Sequence, residues 1–280
     1  MLYEGAKQSS VDMPQSLKEL AVPMQPYDSV FYDQMRELSL ASAREIVPFV
    51  LRFVDVCSVV DVGCGTGAWV KTFFDFGVPD VLGIDGDYVE RMELLIPQNS
   101  FCATDLSAGW FTVERRFDLA VSLEVAEHLP ATAADPFVES LTQAAPVVLF
   151  SAGLPFQGGT NHINEQWPEY WWKRFKARGY EVVDFIRREF WNNSRVRPCY
   201  AQNTLLFVDS TRAQHLPRLA PLMGPHNEQQ LSLVHPSIYL CHADHSRMTF
   251  RPAFRLALQA GWRALMRRVV VPITPARQKT

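Results

Sequence analysis

The stretch Ser58-Val59-Val60-Asp61-Val62-Gly63-Cys64-Gly65-Thr66-Gly67-Ala68-Trp69 constrains this chain more than any other. Its opening β-branched run predicts a buried parallel strand. Three glycines follow at alternate positions, Gly63, Gly65 and Gly67. A turn with that spacing offers backbone N–H groups and has no Cβ atoms to hold a ligand away. Ala68 to Phe76 then reads as a helix closed by Gly77. Strand, glycine turn and helix together frame a nucleotide site in an open α/β sheet. Gly63-x-Gly65-x-x-Ala68 also satisfies the dinucleotide fingerprint, in which the last position can be alanine. A tight strand-to-helix turn with no ligand has the same outline.

The residues that follow extend the α/β pattern. Val81 to Asp85 predicts a second strand that ends in an acid, eighteen residues after Gly67. A carboxylate at that strand end can accept both hydroxyls of a ribose, because it opens on the crevice of the glycine turn. Tyr88 to Ile96 reads as a helix stopped by Pro97, and Phe101 to Leu106 as a short strand with Asp105 at its polar end. Phe117 to Leu123 predicts the fourth strand, which runs into Glu124-Val125-Ala126-Glu127-His128-Leu129-Pro130. One turn of helix would place Glu124, Glu127 and His128 on one face, where they could hold a divalent ion or position a general base. Asp135 to Ala145 predicts a helix and Val147 to Ser151 a fifth strand. The loop from Gly153 to Trp167 is glycine-rich and polar, and loops past strand ends carry substrate contacts in such folds. Its His162 is a candidate general base. Pro168 to Arg178 predicts a helix whose Trp171 and Phe175 belong to the core. Tyr180 to Phe190 and Thr204 to Asp209 read as the last two strands.

Asp61-x-Gly63-x-Gly65-x-Gly67 resembles the first motif of the class I S-adenosylmethionine (SAM)-dependent methyltransferases. The resemblance spans residues 30–210 and implies a Rossmann-like, doubly wound sheet of seven mostly parallel strands with an antiparallel last strand. It implies SAM as cofactor, with Asp61 near the methionine amino group and Gly63, Cys64, Gly65 and Gly67 lining it. Asp85 and Gly86 would meet the ribose, and Asp105 and Leu106 the adenine. Glu-x-x-Glu-His after strand four occurs in many members of this family. In the ubiquinone-pathway O-methyltransferases and the small-RNA 3′-terminal 2′-O-methyltransferases it holds Mg²⁺ or another divalent ion; in other members it binds no metal. Asn161-His162-Ile163-Asn164-Glu165-Gln166-Trp167 is similar to the segment that supplies a further histidine ligand in the RNA enzymes. Glu124, Glu127, His128 and His162 are therefore the candidate catalytic group, either as metal ligands or as acid–base residues. An oxygen acceptor suits such a group, and the aromatic, amide-rich loop favours a sugar hydroxyl on a glycan or glycosylated small molecule. An RNA ribose methyltransferase, a non-catalytic SAM-binding scaffold and a nicotinamide oxidoreductase are the alternatives.

Composition narrows the partners. The chain has 280 residues, 48% hydrophobic and 20% charged, which suits a large core. A formal net charge of −3 gives no general attraction to nucleic acid. Five scattered cysteines without a Cys-x-x-Cys pair suit a reducing compartment, and no secretory segment or apolar run of spanning length is evident, so a cytoplasmic setting is expected. Three regions are expected: an N-terminal arm and helix over 1–56 that closes the cleft, a catalytic domain over 57–210 and an extension over 211–280. Residues 251–280 hold six Arg and one Lys and no acid, and 253–271 read as a basic amphipathic helix for an anionic membrane face or a protein partner.

Overall fold

The computed structural model describes residues 29–243. Seven strands form one sheet: β1 (Ser58–Val62), β2 (Asp80–Asp85), β3 (Phe101–Ala103), β4 (Leu119–Leu123), β5 (Val147–Ser151), β6 (Tyr180–Val183) and β7 (Leu205–Asp209). Their order is β3-β2-β1-β4-β5-β7-β6. β1 pairs in parallel with β2 and β4, β2 with β3, and β4 with β5. β7 runs antiparallel between β5 and β6, which makes the expected closing hairpin. The chain winds one way from β1 to β3 and the other way from β4 onward. A crevice therefore opens at the carboxyl ends of β1 and β4, where such sheets bind ligands.

Alternate residues of each strand feed two separate cores, as a sheet covered on both faces requires. Val60, Val62, Ala120, Val148, Phe150, Leu205 and Phe207 face α3 (Ala134–Ala144) and α4 (Pro168–Ala177), meeting Phe137, Leu141, Trp171 and Phe175. Phe175 stacks on Phe207 with ring centroids 3.9 Å apart. Val59, Leu119, Val121, Val147, Leu149, Leu206 and Val208 face α1 (Ser29–Leu51) and α2 (Ala68–Asp75), meeting Ile46, Val47, Val50, Trp69 and Phe73. α1 continues through Pro48 to Leu51 instead of breaking there. Pro48 lies in the final turn, so only a terminal hydrogen bond is lost.

Two expected elements differ. Residues 88–96 form no α-helix, only a 3₁₀ turn at Arg91–Glu93. Tertiary contacts outweigh helical propensity here: Leu95 N–H donates to the Thr66 carbonyl (2.8 Å), and Ile96 packs against Gly67 and Gly83. The strand expected over Tyr180 to Phe190 stops at Val183, and α5 (Ile186–Phe190) follows. The cause is Arg187, only 1% exposed, which turns back to Asp184 through Nε (2.8 Å to Oδ1) and Nη2 (2.6 Å to Oδ2). Arg187 also donates to the carbonyls of Leu231 (2.7 Å) and Gln230 (3.1 Å). Losing one partner of such a buried pair costs about 3–5 kcal/mol.

A sixth helix, α6 (Pro198–Asn203), leads into β7, and a seventh, α7 (Pro236–Ala243), lies near the end of the described chain. The stretch after β7 that reads as loop forms 3₁₀ turns at Ser210–His215, Ala220–Leu222 and Pro225–Glu228. The chain divides into two compact units, residues 1–238 and 239–280. The second is described only over 239–243, as the end of α7. The arm before Ser29, with Tyr27, and the basic segment over 253–271 lie outside the described residues. Among the described residues no helix is long and apolar enough to cross a membrane.

Candidate active site

The glycine turn after β1 folds back over the end of β2. Gly63 and Cys64 both donate to the Ile84 carbonyl (2.8 and 3.1 Å). Gly63, Gly65 and Gly67 carry φ of 82°, 54° and 89°, values that favour glycine. A side chain at Gly63 would collide with Val125, so the β1 turn and the β4 turn are in contact. Asp85, at the end of β2, reaches across to this turn: its Oδ2 accepts from Gly65 N–H (2.6 Å) and its Oδ1 from Gly86 N–H (2.7 Å). The Tyr88 hydroxyl donates to the same Oδ1. Asp61 lies in β1, 2% exposed, and its Oδ2 is buried with no hydrogen-bond partner. Burial, and then the charge of Asp85, pushes the Asp61 carboxyl well above the usual carboxylate range. Cys64 is buried against Gly83, where an added Cβ would come within 2.7 Å of its sulfur. Burial, then the charges of Asp61 and Asp85, pushes the Cys64 thiol up.

The strand expected to run to Leu106 stops at Ala103, and Asp105 and Leu106 follow it in a turn at the carboxyl end of β3. Leu106 is buried. Asp105 is exposed, and its Oδ1 accepts from Ser107 N–H (2.8 Å) in a local turn. That backbone bond holds its pKa below the usual value.

The β4 end assembles a second group. Val125 precedes a 3₁₀ turn, Ala126–His128, and Glu124 sits in the left-handed region at φ 56°. The single helical face expected for Glu124, Glu127 and His128 is therefore not formed. Glu124 turns toward the amides: Gln157 Nε2 donates to its Oε2 (2.7 Å) and Asn203 Nδ2 to its Oε1 (3.0 Å). Glu127, His128 and His162 do come together, each offering one ligand-type atom within 4.8 Å of the others. The long loop after β5 is pinned there because Ile163 and Asn164 N–H both donate to the Glu127 carbonyl (2.9 and 3.0 Å). The His128 and His162 rings meet edge to face, centroids 4.8 Å apart.

Glu127 is fully buried and neither carboxylate oxygen has a partner. Burial, then the nearby charge of Glu124, raises its pKa well above the usual range. Desolvation, then the neighbouring His162, lowers the pKa of His128, which keeps a nitrogen lone pair available. The backbone N–H groups of Glu127 and Gly153 ease its charge only in part, and a buried carboxylate without a full hydrogen bond, faced by two imidazoles, calls for a proton or a cation.

Several residues around the site carry no motif. Glu165 bonds His162 Nδ1 (2.9 Å), and Tyr88 covers Asp85. Gln157 and Asn203 hold Glu124 from loop and helix, 33 and 79 residues away in sequence. Glu165 and Tyr88, each three residues from its partner, have a spacing that sequence reading could have used.

The methyltransferase domain family matches residues 32–193, more than half of the chain. The chain belongs to that family. It is a SAM-dependent methyltransferase, and the sheet order above is the class I fold. No curated protein matches it in sequence at a significant level. Among solved structures it is similar to DesVI from Streptomyces venezuelae, at 16% identity and TM-score 0.45, over 64% of this chain and 95% of that one. It is similar to CalS10, an amino pentose methyltransferase from Micromonospora echinaspora involved in calicheamicin biosynthesis, at 16% identity and TM-score 0.46, over 67% and 100%. The methyltransferase domain of the bacterial protein CtHen1-C gives 18% identity and TM-score 0.46, over 61% and 98%. The cleft of this methyltransferase suits a cationic nucleoside on its own evidence. Asp61 Oδ2 is a buried acceptor without a donor on β1, beside the sheet's switch point, and the charge of Asp85 on the neighbouring strand β2 acts on it.

Proposed function

We propose that this methyltransferase methylates a hydroxyl on a sugar, within a glycan or a glycosylated small molecule. The observation that carries the oxygen acceptor is Glu127, buried with two unpartnered oxygens beside His128 and His162. A neutral hydroxyl is a much weaker nucleophile than a free amine, so it depends more on a base or an ion that takes or loosens its proton as it attacks. The post-β5 loop supports a sugar or other ringed acceptor. It presents Phe156, Ile163 and Trp167, 85%, 65% and 43% exposed, around His162. Phe156 is held at φ 68°, a strained conformation for a bulky residue, and it keeps its ring in solvent. Exposed aromatic faces of this kind stack on planar or ring-shaped ligands.

SAM supplies an electrophilic methyl group on a sulfonium centre. Asp61 would accept from the amino group of its methionine part, and the N–H groups of the Gly63–Gly67 turn, with Cys64, would line it. Asp85 and Gly86 would meet the ribose, and Asp105 and Leu106 the adenine. The Tyr88 hydroxyl donates to Asp85, so it would compete with a ribose hydroxyl for that carboxylate. His162 or Glu127 takes the acceptor proton, and the loop holds the hydroxyl oxygen in line with the methyl carbon. Bound SAM would supply the methyl group to that oxygen and would leave as a neutral thioether held by the Asp61–Gly67 turn.

The same cluster fits a divalent ion. One carboxylate and two imidazoles favour a transition ion such as Mn²⁺, Co²⁺ or Zn²⁺ over Mg²⁺, which prefers oxygen ligands. Glu127, His128 and His162 would hold it, with Glu124 left to its amide partners. Such an ion would supply Lewis-acid activation of the hydroxyl.

The test is to incubate the protein with methyl-labelled SAM and cell extract, with and without chelator. Label in glycan or small glycosides is expected, and its loss with chelator would establish the ion. Label in RNA would overturn the acceptor, and SAM binding without label in any fraction would favour a scaffold. Tyr88→Phe is expected to tighten SAM binding by up to about tenfold, because a competing hydrogen bond on Asp85 is removed. Calorimetric titration reads this; weaker binding would show that Tyr88 helps to hold the ribose.

A further inference from the structure

We propose that Glu165 is a positioning residue for His162: it fixes the imidazole with its proton on Nδ1 and leaves Nε2 as the only nitrogen able to accept a proton or bind an ion. The inference rests on the reading of the Glu127–His128–His162 cluster as a proton-accepting or ion-binding centre.

His162 sits on an irregular loop, which by itself leaves its ring orientation open. Glu165 removes that freedom. Its Oε1 lies 2.9 Å from His162 Nδ1 and also accepts from Gly158 N–H at 2.8 Å. Its Oε2 accepts from Phe156 N–H at 2.8 Å. A carboxylate holding two backbone donors offers acceptors only, so the proton in the third contact belongs to Nδ1. The side chains of His162 and Glu165 are 11% and 19% exposed, so water competes weakly for this bond. Gly159 packs against the Nε2 edge of the ring, where an added Cβ would collide with that nitrogen, so the loop has room for the imidazole only with glycine there. A carboxylate partner of this kind fixes the ring orientation of ligating and basic histidines.

The three contacts of Glu165 tie two tasks together. Phe156 and Gly158 belong to the strained arc that carries the exposed aromatic ring, and His162 belongs to the chemical group. One side chain therefore sets the distance between the acceptor platform and the reacting nitrogen.

The substitution that tests this is Glu165→Gln. Glutamine keeps the volume and can still accept from a backbone N–H. Its single oxygen cannot serve both carboxylate positions, so an amide N–H₂ faces either Phe156 N–H or the Gly158–Nδ1 pair and the clamp on the ring loosens. Nitrogen NMR on histidine-labelled protein reads the tautomer directly. The chain has seven histidines, and the His162→Ala spectrum identifies the His162 signals. The wild type is expected to show a protonated Nδ1 and a bare Nε2, and Glu165→Gln a mixture of the two tautomers. A wild-type His162 with its proton on Nε2 overturns the proposal.

Titration with Co²⁺, followed by its visible absorbance, separates the two levels of the argument. Glu165→Gln is expected to bind Co²⁺ about 10–100-fold more weakly, with SAM affinity unchanged. Wild-type Co²⁺ affinity in Glu165→Gln, with loss in His162→Ala, overturns the role of Glu165 and leaves the cluster standing. Wild-type affinity in His162→Ala overturns the cluster as an ion site.

Discussion

Glu127→Gln is expected to lower methyl transfer by about 10²–10⁴-fold while leaving SAM affinity unchanged. The amide matches the carboxylate in size but can neither take a proton nor balance a cation. The sign of its stability effect follows from burial. The folded pKa of Glu127 lies above its unfolded value, so the folded chain holds a proton that the unfolded chain has released. The associated stability is fully present below the ordinary carboxylate pKa and is lost as pH rises through the raised value. Glu127→Gln has no such proton to lose. Thermal melts of the ion-free protein between about pH 5 and pH 9 should therefore show the variant gaining on the wild type as pH rises. A variant that transfers methyl groups at the wild-type rate would remove Glu127 from the chemistry.

Asp61→Asn is the second large effect. Hydrogen bonds to charged groups contribute about 1.5–3 kcal/mol, so the substitution should weaken SAM binding by about 10–100-fold. Its pH dependence is more diagnostic than its size. Asp61 is raised by burial and by Asp85, and a protonated carboxyl binds an ammonium group poorly. Wild-type affinity for SAM should fall as pH is lowered through the Asp61 pKa, and the asparagine variant should be flat across the same interval. Calorimetry at a series of pH values checks this. Parallel pH profiles in the two proteins would show that Asp61 does not meet the charged end of the cofactor.

The residues that were legible in the sequence are those whose role is local. β5 begins and ends at the residues its apolar run predicts, because every residue in it is buried. The glycine turn and Asp85 could be read because turn geometry and strand ends have their own residue chemistry. Glu124 could not be placed, since its left-handed backbone and its bonds to Gln157 and Asn203 depend on distant elements. Periodicity assumed a regular helix there and put three side chains on one face. The 88–96 segment failed for the same reason in reverse. Its helical spacing is real, but a bond to Thr66 and the packing of Ile96 over the glycine turn gain more than a short helix would. At Tyr180 to Phe190 the alternation continued past Val183, yet Asp184 and Arg187 pair at a separation of three, which a strand forbids.

The seclusion of Cys64 has a practical consequence. Thiol reagents and peroxides attack the thiolate, and this sulfur is both covered and disfavoured from ionising by two neighbouring acids. Cys57 and Cys102 are exposed. Maleimide dyes should therefore mark the surface and spare the turn, and a fluorophore on Cys102, three residues from Asp105, would give an optical signal for occupancy of the cleft.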